Sequence, residues 1–194
     1  MFTGIIEAVG SISDIQREGT NIIFTIQSRI SGELKVDQSI AHDGVCLTVT
    51  DCDSDSHTVT AIDETLKKSN LGNWEKGAEV NLERCMLNNG RFDGHIVQGH
   101  VDEVGKVTKI EDQGGSWLID IEYGNLENVT VEKGSITVNG ISLTCFNSKP
   151  NGFSIAIIPY TMEHTTMRTL KEGNEVNLEF DIVGKYVKRL LKSD

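Results

Sequence analysis

Several things are scarce in this chain of 194 residues, and each scarcity narrows what it can do. It has no run of about 18 apolar residues, the length a helix needs to cross a bilayer, so no membrane partner is expected. Its opening, Met1-Phe2-Thr3-Gly4, lacks the basic-then-apolar pattern of a signal peptide, and the expected compartment is the cytoplasm. Cys46, Cys52, Cys85 and Cys145 form no CxxC and no metal-ligand spacing, so free thiols are expected rather than a disulfide frame or a metal site. Basic residues are outnumbered 18 to 29 by acidic ones, and the net charge of -11 disfavours grip on a phosphate backbone. Aromatics at 6% also count against stacking on a nucleic-acid strand. A small ligand in a pocket remains open. Long helical crossovers are missing too, which excludes a parallel sheet.

What the chain does have is itself, twice. Asp43-Gly44-Val45-Cys46-Leu47-Thr48-Val49 returns 96 positions later as Asn139-Gly140-Ile141-Ser142-Leu143-Thr144-Cys145. Residues 4–12 match 99–107 at an offset of 95, and residues 75–83 match 171–179 at six of nine places, again at 96. Three blocks in one order at offsets of 95 or 96 mark a duplicated module, whose halves of about 95 residues are each long enough for a modest core.

After its glycine turn the central block alternates. Val45, Leu47 and Val49 point one way and Cys46, Thr48 and Thr50 the other, as Ile141, Leu143 and Cys145 oppose Ser142, Thr144 and Phe146. The first face can close a core. The second carries a thiol or hydroxyl at matching places in both modules, either as half-buried strand wall or as twin polar sites. Alternation also runs through residues 21–28, 57–62, 116–123 and 153–158, while 64–71 and 160–167 have the look of single helical turns. With turn signals about every 8–12 residues, each half is predicted to form a small closed antiparallel barrel of about six strands. The tail differs. Ile182, Val183, Tyr186, Val187, Leu190 and Leu191 make one apolar stripe on a helix whose other face is Lys185, Lys188, Arg189 and Lys192. That stripe has two outlets, its own barrel or the same helix of other subunits.

These blocks together resemble the riboflavin synthases over essentially the whole length. The match rests on residues 1–7, the two central blocks, Glu64-Thr65-Leu66 with Asn70-Leu71-Gly72, Gly94-His95 with Gly99-His100, and Ile158-Pro159 with Thr161. The resemblance implies an all-β chain of two tandem homologous six-stranded Greek-key antiparallel β-barrels, residues 1–92 and 93–181, plus a C-terminal α-helix, 182–194, that joins a homotrimer. It implies dismutation of two molecules of 6,7-dimethyl-8-ribityllumazine by four-carbon transfer, giving riboflavin and 5-amino-6-(D-ribitylamino)uracil without a cofactor. It also leaves room for assembly with lumazine synthase. A reaction of a molecule with its own kind calls for two similar pockets, which a repeated module supplies; in the family these meet between the N-terminal barrel of one subunit and the C-terminal barrel of the next.

The resemblance groups Gly4, Ile5, Ile6, Cys46, Leu47, Thr48, Ala61, Ile62, Glu64 and Thr65 in an N-terminal pocket. It groups Gly99, His100, Val101, Ser142, Leu143, Thr144, Ile158, Pro159 and Thr161 in a C-terminal one, with Lys133 approaching from a turn. Catalytic roles fall to His100, Ser142, Cys46, Thr144 and Asp181. The chemistry needs a proton taken from one lumazine's C7 methyl and a nucleophile added to C7 of the other, work for positioning and a modest base. Imidazole titrates in the working range, which favours His100. Cys46 and Ser142 show no neighbouring base in the sequence, so polar assistance is expected of them rather than covalent attack. Asp181 fits that network and also a helix cap. Phe2 fits either a cover for a flat heterocycle or a plug for its own barrel. His95 and His100, five apart, would point to opposite faces of a strand, and His42, His57 and His164 are expected at the surface or in turns. Two other classes compete: a non-catalytic lumazine or flavin carrier, as in the lumazine and yellow fluorescent proteins, and a double barrel for oligonucleotides or structural contacts.

Overall fold

A computed structural model of the protein describes residues 1–191. The first barrel is built from β1 (Ala8–Glu18), β2 (Asn21–Gln27), β3 (Ser39–His42), β4 (Val45–Cys52), β5 (Ser56–Ala61), the short helix α1 (Asp63–Lys68) and β6 (Glu79–Arg84). The second repeats it as β7 (Glu103–Asp112), β8 (Trp117–Glu122), β9 (Ser135–Val138), β10 (Ile141–Lys149), β11 (Gly152–Ile157), α2 (Pro159–His164) and β12 (Glu175–Phe180), followed by α3 (Ile182–Leu191). Around the first barrel the order is β1-β2-β5-β4-β3-β6, and the second closes in the matching order, antiparallel throughout. Strands adjacent in sequence are thus not always adjacent in the sheet, the Greek-key signature. Even the bulges recur, between Ile12 and Asp14 and between Val107 and Lys109.

Alternation sets each core. In β4, Val45, Leu47 and Val49 are buried while Thr48 and Thr50 are exposed, and in β10 Ile141 and Cys145 are buried while Thr144 is exposed. One correction concerns His42 and His57, which are fully buried. The period of β5 places His57 on the inward face with Val59 and Ala61, and β3 does the same for His42. Their Nε2 atoms lie 2.9 Å apart, and His57 Nδ1 is 2.8 Å from the Ser31 hydroxyl. His164 is exposed as expected.

The two barrels meet at the tips of matching hairpins. Val45 pairs with His42 and Ile141 with Val138, leaving two-residue turns at Asp43-Gly44 and Asn139-Gly140 in which all four residues have positive φ. That is the turn geometry Asp-Gly and Asn-Gly are suited to. The tips press together so closely that a Cβ on Gly44 would stand 2.8 Å from the Gly140 nitrogen. Around them Asn81 and Asn177, both buried, reach across. The Asn81 amide nitrogen donates to the Asn139 carbonyl (2.9 Å) and that of Asn177 to the Asp43 carbonyl (3.0 Å), while Thr166 and Asn70 backbone N–H groups donate to the two side-chain oxygens. Satisfied buried amides of this kind fix one mutual orientation of the barrels.

Helix α3 leaves its stripe uncovered: Val183, Tyr186, Val187, Leu190 and Leu191 are all exposed. Its other face is tied to the second barrel's segments by ion pairs of Lys185 with Asp102 (2.6 Å) and Lys188 with Glu127 (2.8 Å). An apolar groove of about 640 Å³ runs between the stripe and Val129 and Val131. Lys192, the last cation of the expected polar face, lies outside the described residues.

Candidate active site

Two half-sites sit on the polar faces of β4 and β10, and each is completed by a segment from the other barrel. The Cys46 backbone N–H donates to the Gly99 carbonyl (2.8 Å), and the Ser142 N–H donates to the Gly4 carbonyl (2.8 Å). At both crossings the φ is +78° and a Cβ would lie 2.6 Å from the Cβ of Cys46 or of Ser142, so glycine is required there. This reverses part of the expected grouping. Gly4, Ile5 and Ile6 belong with Ser142, and Gly99, His100 and Val101 with Cys46. The physical reason is that neither leading segment joins its own sheet until Ala8 or Glu103; before that the two run side by side, with Phe2 and Val97 exchanging backbone hydrogen bonds, and cross over. Ile6 accordingly packs against the second core and Val101 against the first.

The half-site of the first barrel is a cavity of about 190 Å³ lined by Cys46, Glu64, Thr65, Lys68, His100 and Val101 together with their neighbours. His100 is exposed into it, on a loop held by its backbone. The Cys46 thiol is held neutral, its pKa pushed up by burial against the pull of Ser39. Leu47 and Ala61, expected to line this pocket, are buried in the barrel core and can offer only backbone to a ligand. Ile62 and Thr48 are exposed. Phe2 is fully buried and packs with Ala41, Val97 and Cys46, a plug at the barrel junction that also backs the half-site.

The half-site of the second barrel holds a feature the sequence did not disclose. The Ser142 hydroxyl is 2.7 Å from His95 Nδ1, and His95 Nε2 is 3.2 Å from the Thr137 hydroxyl. Burial lowers the His95 pKa, opposed by the charge of Asp181, which favours the neutral ring. With Nε2–H donating to Thr137, Nδ1 can accept from Ser142. The expectation that Ser142 lacks a base is therefore corrected: 47 residues separate the pair in sequence, and only the crossing of the leading segments joins them. Asp181 also accepts from the Val183 N–H at 2.9 Å, so it caps α3 and biases His95 at once. His95 and His100 serve different barrels.

Of the other residues expected in this pocket, Ile158, Pro159 and Thr144 are exposed and Thr161 is half-buried. Leu143 packs against the second core. Lys133 lies on the outer wall, its ammonium 4.9 Å above the Phe146 ring. On α2, Tyr160 stacks on His164 at 4.1 Å, where the matching positions of α1 are Glu64 and Lys68.

The lumazine-binding-domain family model matches this chain twice, at residues 3–85 and 98–181. A riboflavin synthase of Actinobacillus pleuropneumoniae is 43% identical over 98% of this chain and 90% of its own length. One from Bacillus subtilis (strain 168) is 42% identical over the same shares. Among solved structures, LumP complexed with riboflavin superposes with a TM-score of 0.84 at 23% identity, covering 93% of this chain and 99% of LumP, which bears on the fold. Twin barrels, a doubled family match and full-length identity to the synthases agree, and the chain belongs to the riboflavin synthase family of lumazine-binding proteins.

Proposed function

We propose that the protein is a transferase that dismutates two molecules of 6,7-dimethyl-8-ribityllumazine into riboflavin and 5-amino-6-(D-ribitylamino)uracil. The observation that carries this reading is the pair of homologous half-sites, alike in backbone and unlike in reactive groups: Cys46 with His100 in one, Ser142 with His95 in the other. Two copies of one substrate need like cradles, while donor and acceptor need different help. The Ser142–His95 pair can take a proton or activate a hydroxyl, and the neutral Cys46 thiol and His100 offer polar contacts. The lumazine ring delocalises the carbanion formed at the C7 methyl group, so the reading calls for no cofactor. Identity of about 40% to synthases along the whole chain, against 23% to LumP, favours catalysis over simple carriage.

The exposed stripe of α3 and the apolar groove beside it support assembly into the family's homotrimer, with each reaction site formed between the first barrel of one subunit and the second barrel of the next. Association with a lumazine synthase remains a proposal from the family alone. Four free thiols support a reducing compartment, the cytoplasm. The test is direct. Incubated with dimethyl-ribityllumazine, the protein should consume two lumazines for each riboflavin formed; tight binding without flavin would assign it to the carriers. Truncation after Asp181 should turn a trimer into monomers in light scattering, and a trimer that survives the truncation contradicts the role of α3.

A further inference from the structure

Two buried acids remain that the chemistry above does not use. Glu83 on β6 and Glu179 on β12 are twins at the offset of 96, 5% and 2% exposed, and neither has an ion pair among the described residues. Each collects backbone N–H groups from one leading segment. Glu83 accepts from the N–H of Thr3 (2.7 Å), from that of Gly4 (3.0 Å) and from the Thr3 hydroxyl. Glu179 accepts from the N–H groups of Gln98 (2.7 Å), Gly99 (2.9 Å) and His100 (2.8 Å). Three consecutive amides facing one side chain need an acceptor with two oxygens and no hydrogens, which only an ionised carboxylate supplies. Burial raises both acids' pKa values while the amide bonds act against the rise. Loss of the charge would release the amides.

The clamps do not serve the barrels that carry them. Glu179 belongs to the second barrel, yet the loop it grips ends in Gly99 and His100, whose carbonyl and side chain complete the half-site at Cys46. Glu83 belongs to the first barrel, and the loop it grips delivers the Gly4 carbonyl to Ser142. We propose that Glu83 and Glu179 are crossed positioning residues, each fixing from one barrel the lip of the half-site in the other, so that the acid of the second barrel governs the Cys46 site and the acid of the first governs the Ser142 site. One consequence concerns His100. The backbone that aims its ring is anchored in the second barrel, so its position over the first barrel's pocket depends on the packing of both. The inference deepens the synthase reading and rests on it for its catalytic meaning, but its structural content can be read without ligand.

The experiment compares Glu179→Gln and Glu83→Gln in the full chain. Gln keeps the shape but sets an NH2 group against amides that need acceptors. In residue-resolved hydrogen exchange without ligand, Glu179→Gln should lower protection of the Cys46 amide by about tenfold or more, the scale of a lost charge-assisted bond, and leave the Ser142 amide as in wild type. Glu83→Gln should do the reverse. In crystals soaked with riboflavin, the same variants should lose occupancy at the Cys46 and Ser142 pockets respectively. Equal loss of protection at both amides, or loss confined to the barrel carrying the substitution, overturns the proposal. Where a Gln variant fails to fold, the Asp variant, which keeps both oxygens but draws them back by one methylene, is measured against the same crossed pattern. Wild-type turnover of the lumazine tests the synthase reading separately.

Discussion

The two barrels share a sheet order, a bulge, a hairpin tip and a clamp, and differ where chemistry or protons are concerned. Position by position at the offset of 96, the first barrel has Cys46, Glu64, Lys68, Asp43, His42 and His57 where the second has Ser142, Tyr160, His164, Asn139, Val138 and Phe153. Asp43, buried against the Asn81 N–H, has its pKa pushed up to about 7 by desolvation, while Asn139 makes the same bond to Asn177 with no charge to titrate. Duplication has thus preserved what builds the cradle and released what sits in it. Both barrels keep the buried glutamate, but the first alone carries the buried His42–His57 pair and Asp43, and the second carries the Ser–His pair.

The sharpest way to break this comparison is at the reactive groups. Ser142→Ala and His95→Ala should each cut turnover by about 100-fold or more, the usual scale of acid–base assistance, with riboflavin affinity changing far less. Steady-state rates near wild type in both would remove the pair from the reaction. His100→Ala should also lower turnover, since its ring opens onto the Cys46 pocket.

A smaller effect is expected at the seam. Asn81→Ala strands the Asn139 carbonyl and the Thr166 N–H in a buried junction, and should cost about 2–3 kcal/mol in denaturant unfolding. Asn177→Ala should match it. Two separate unfolding transitions in place of one would show that these amides join the barrels into one cooperative unit.

Next come protons, which should distinguish the barrels. Burial lowers the His57 pKa to about 4 and that of His42 well below its usual value, so between about pH 6.5 and 4 the unfolded chain binds more protons and stability falls as the pH drops. Asp43 works in the opposite sense. Its raised pKa means that the native state holds the extra proton between about pH 4 and 7, and its contribution is lost as pH rises through that window. Asp43→Asn, which copies the second barrel, should therefore stabilise the protein at pH 8 by about 2 kcal/mol or more and very little at pH 4. Equal effects at both values would contradict the assignment. The smallest change is expected from Cys46→Ser, which copies Ser142 without its imidazole partner; turnover should move by less than about tenfold, since a neutral thiol and a hydroxyl both offer only weak polar contacts there.

Much of this was legible in the sequence because period-2 alternation and a fixed offset are local properties. They located the duplicated barrels, the polar faces of β4 and β10, and the twin positions of Cys46 and Ser142. His57 was equally legible, in phase with Val59 and Ala61, and its burial follows from the strand pattern once histidine is not presumed polar. The repeated Asn81 and Asn177, and Glu83 and Glu179, were visible as shared letters without a purpose, since their partners lie on the other barrel or on crossing loops. The swap of residues 4–6 with 99–101 and the Ser142–His95 contact were beyond reach for the same reason: no local pattern records which barrel a leading segment will enter.

The central claim is that two like half-sites, each finished by the opposite barrel's loop, hold two copies of one substrate. A crystal structure with riboflavin at saturation tests it most directly. The account predicts two flavins per chain, one against Cys46 with Gly99 and His100, the other against Ser142 with Gly4 and Ile5. A single flavin per chain, or pockets closed by each barrel's own leading segment, would contradict it.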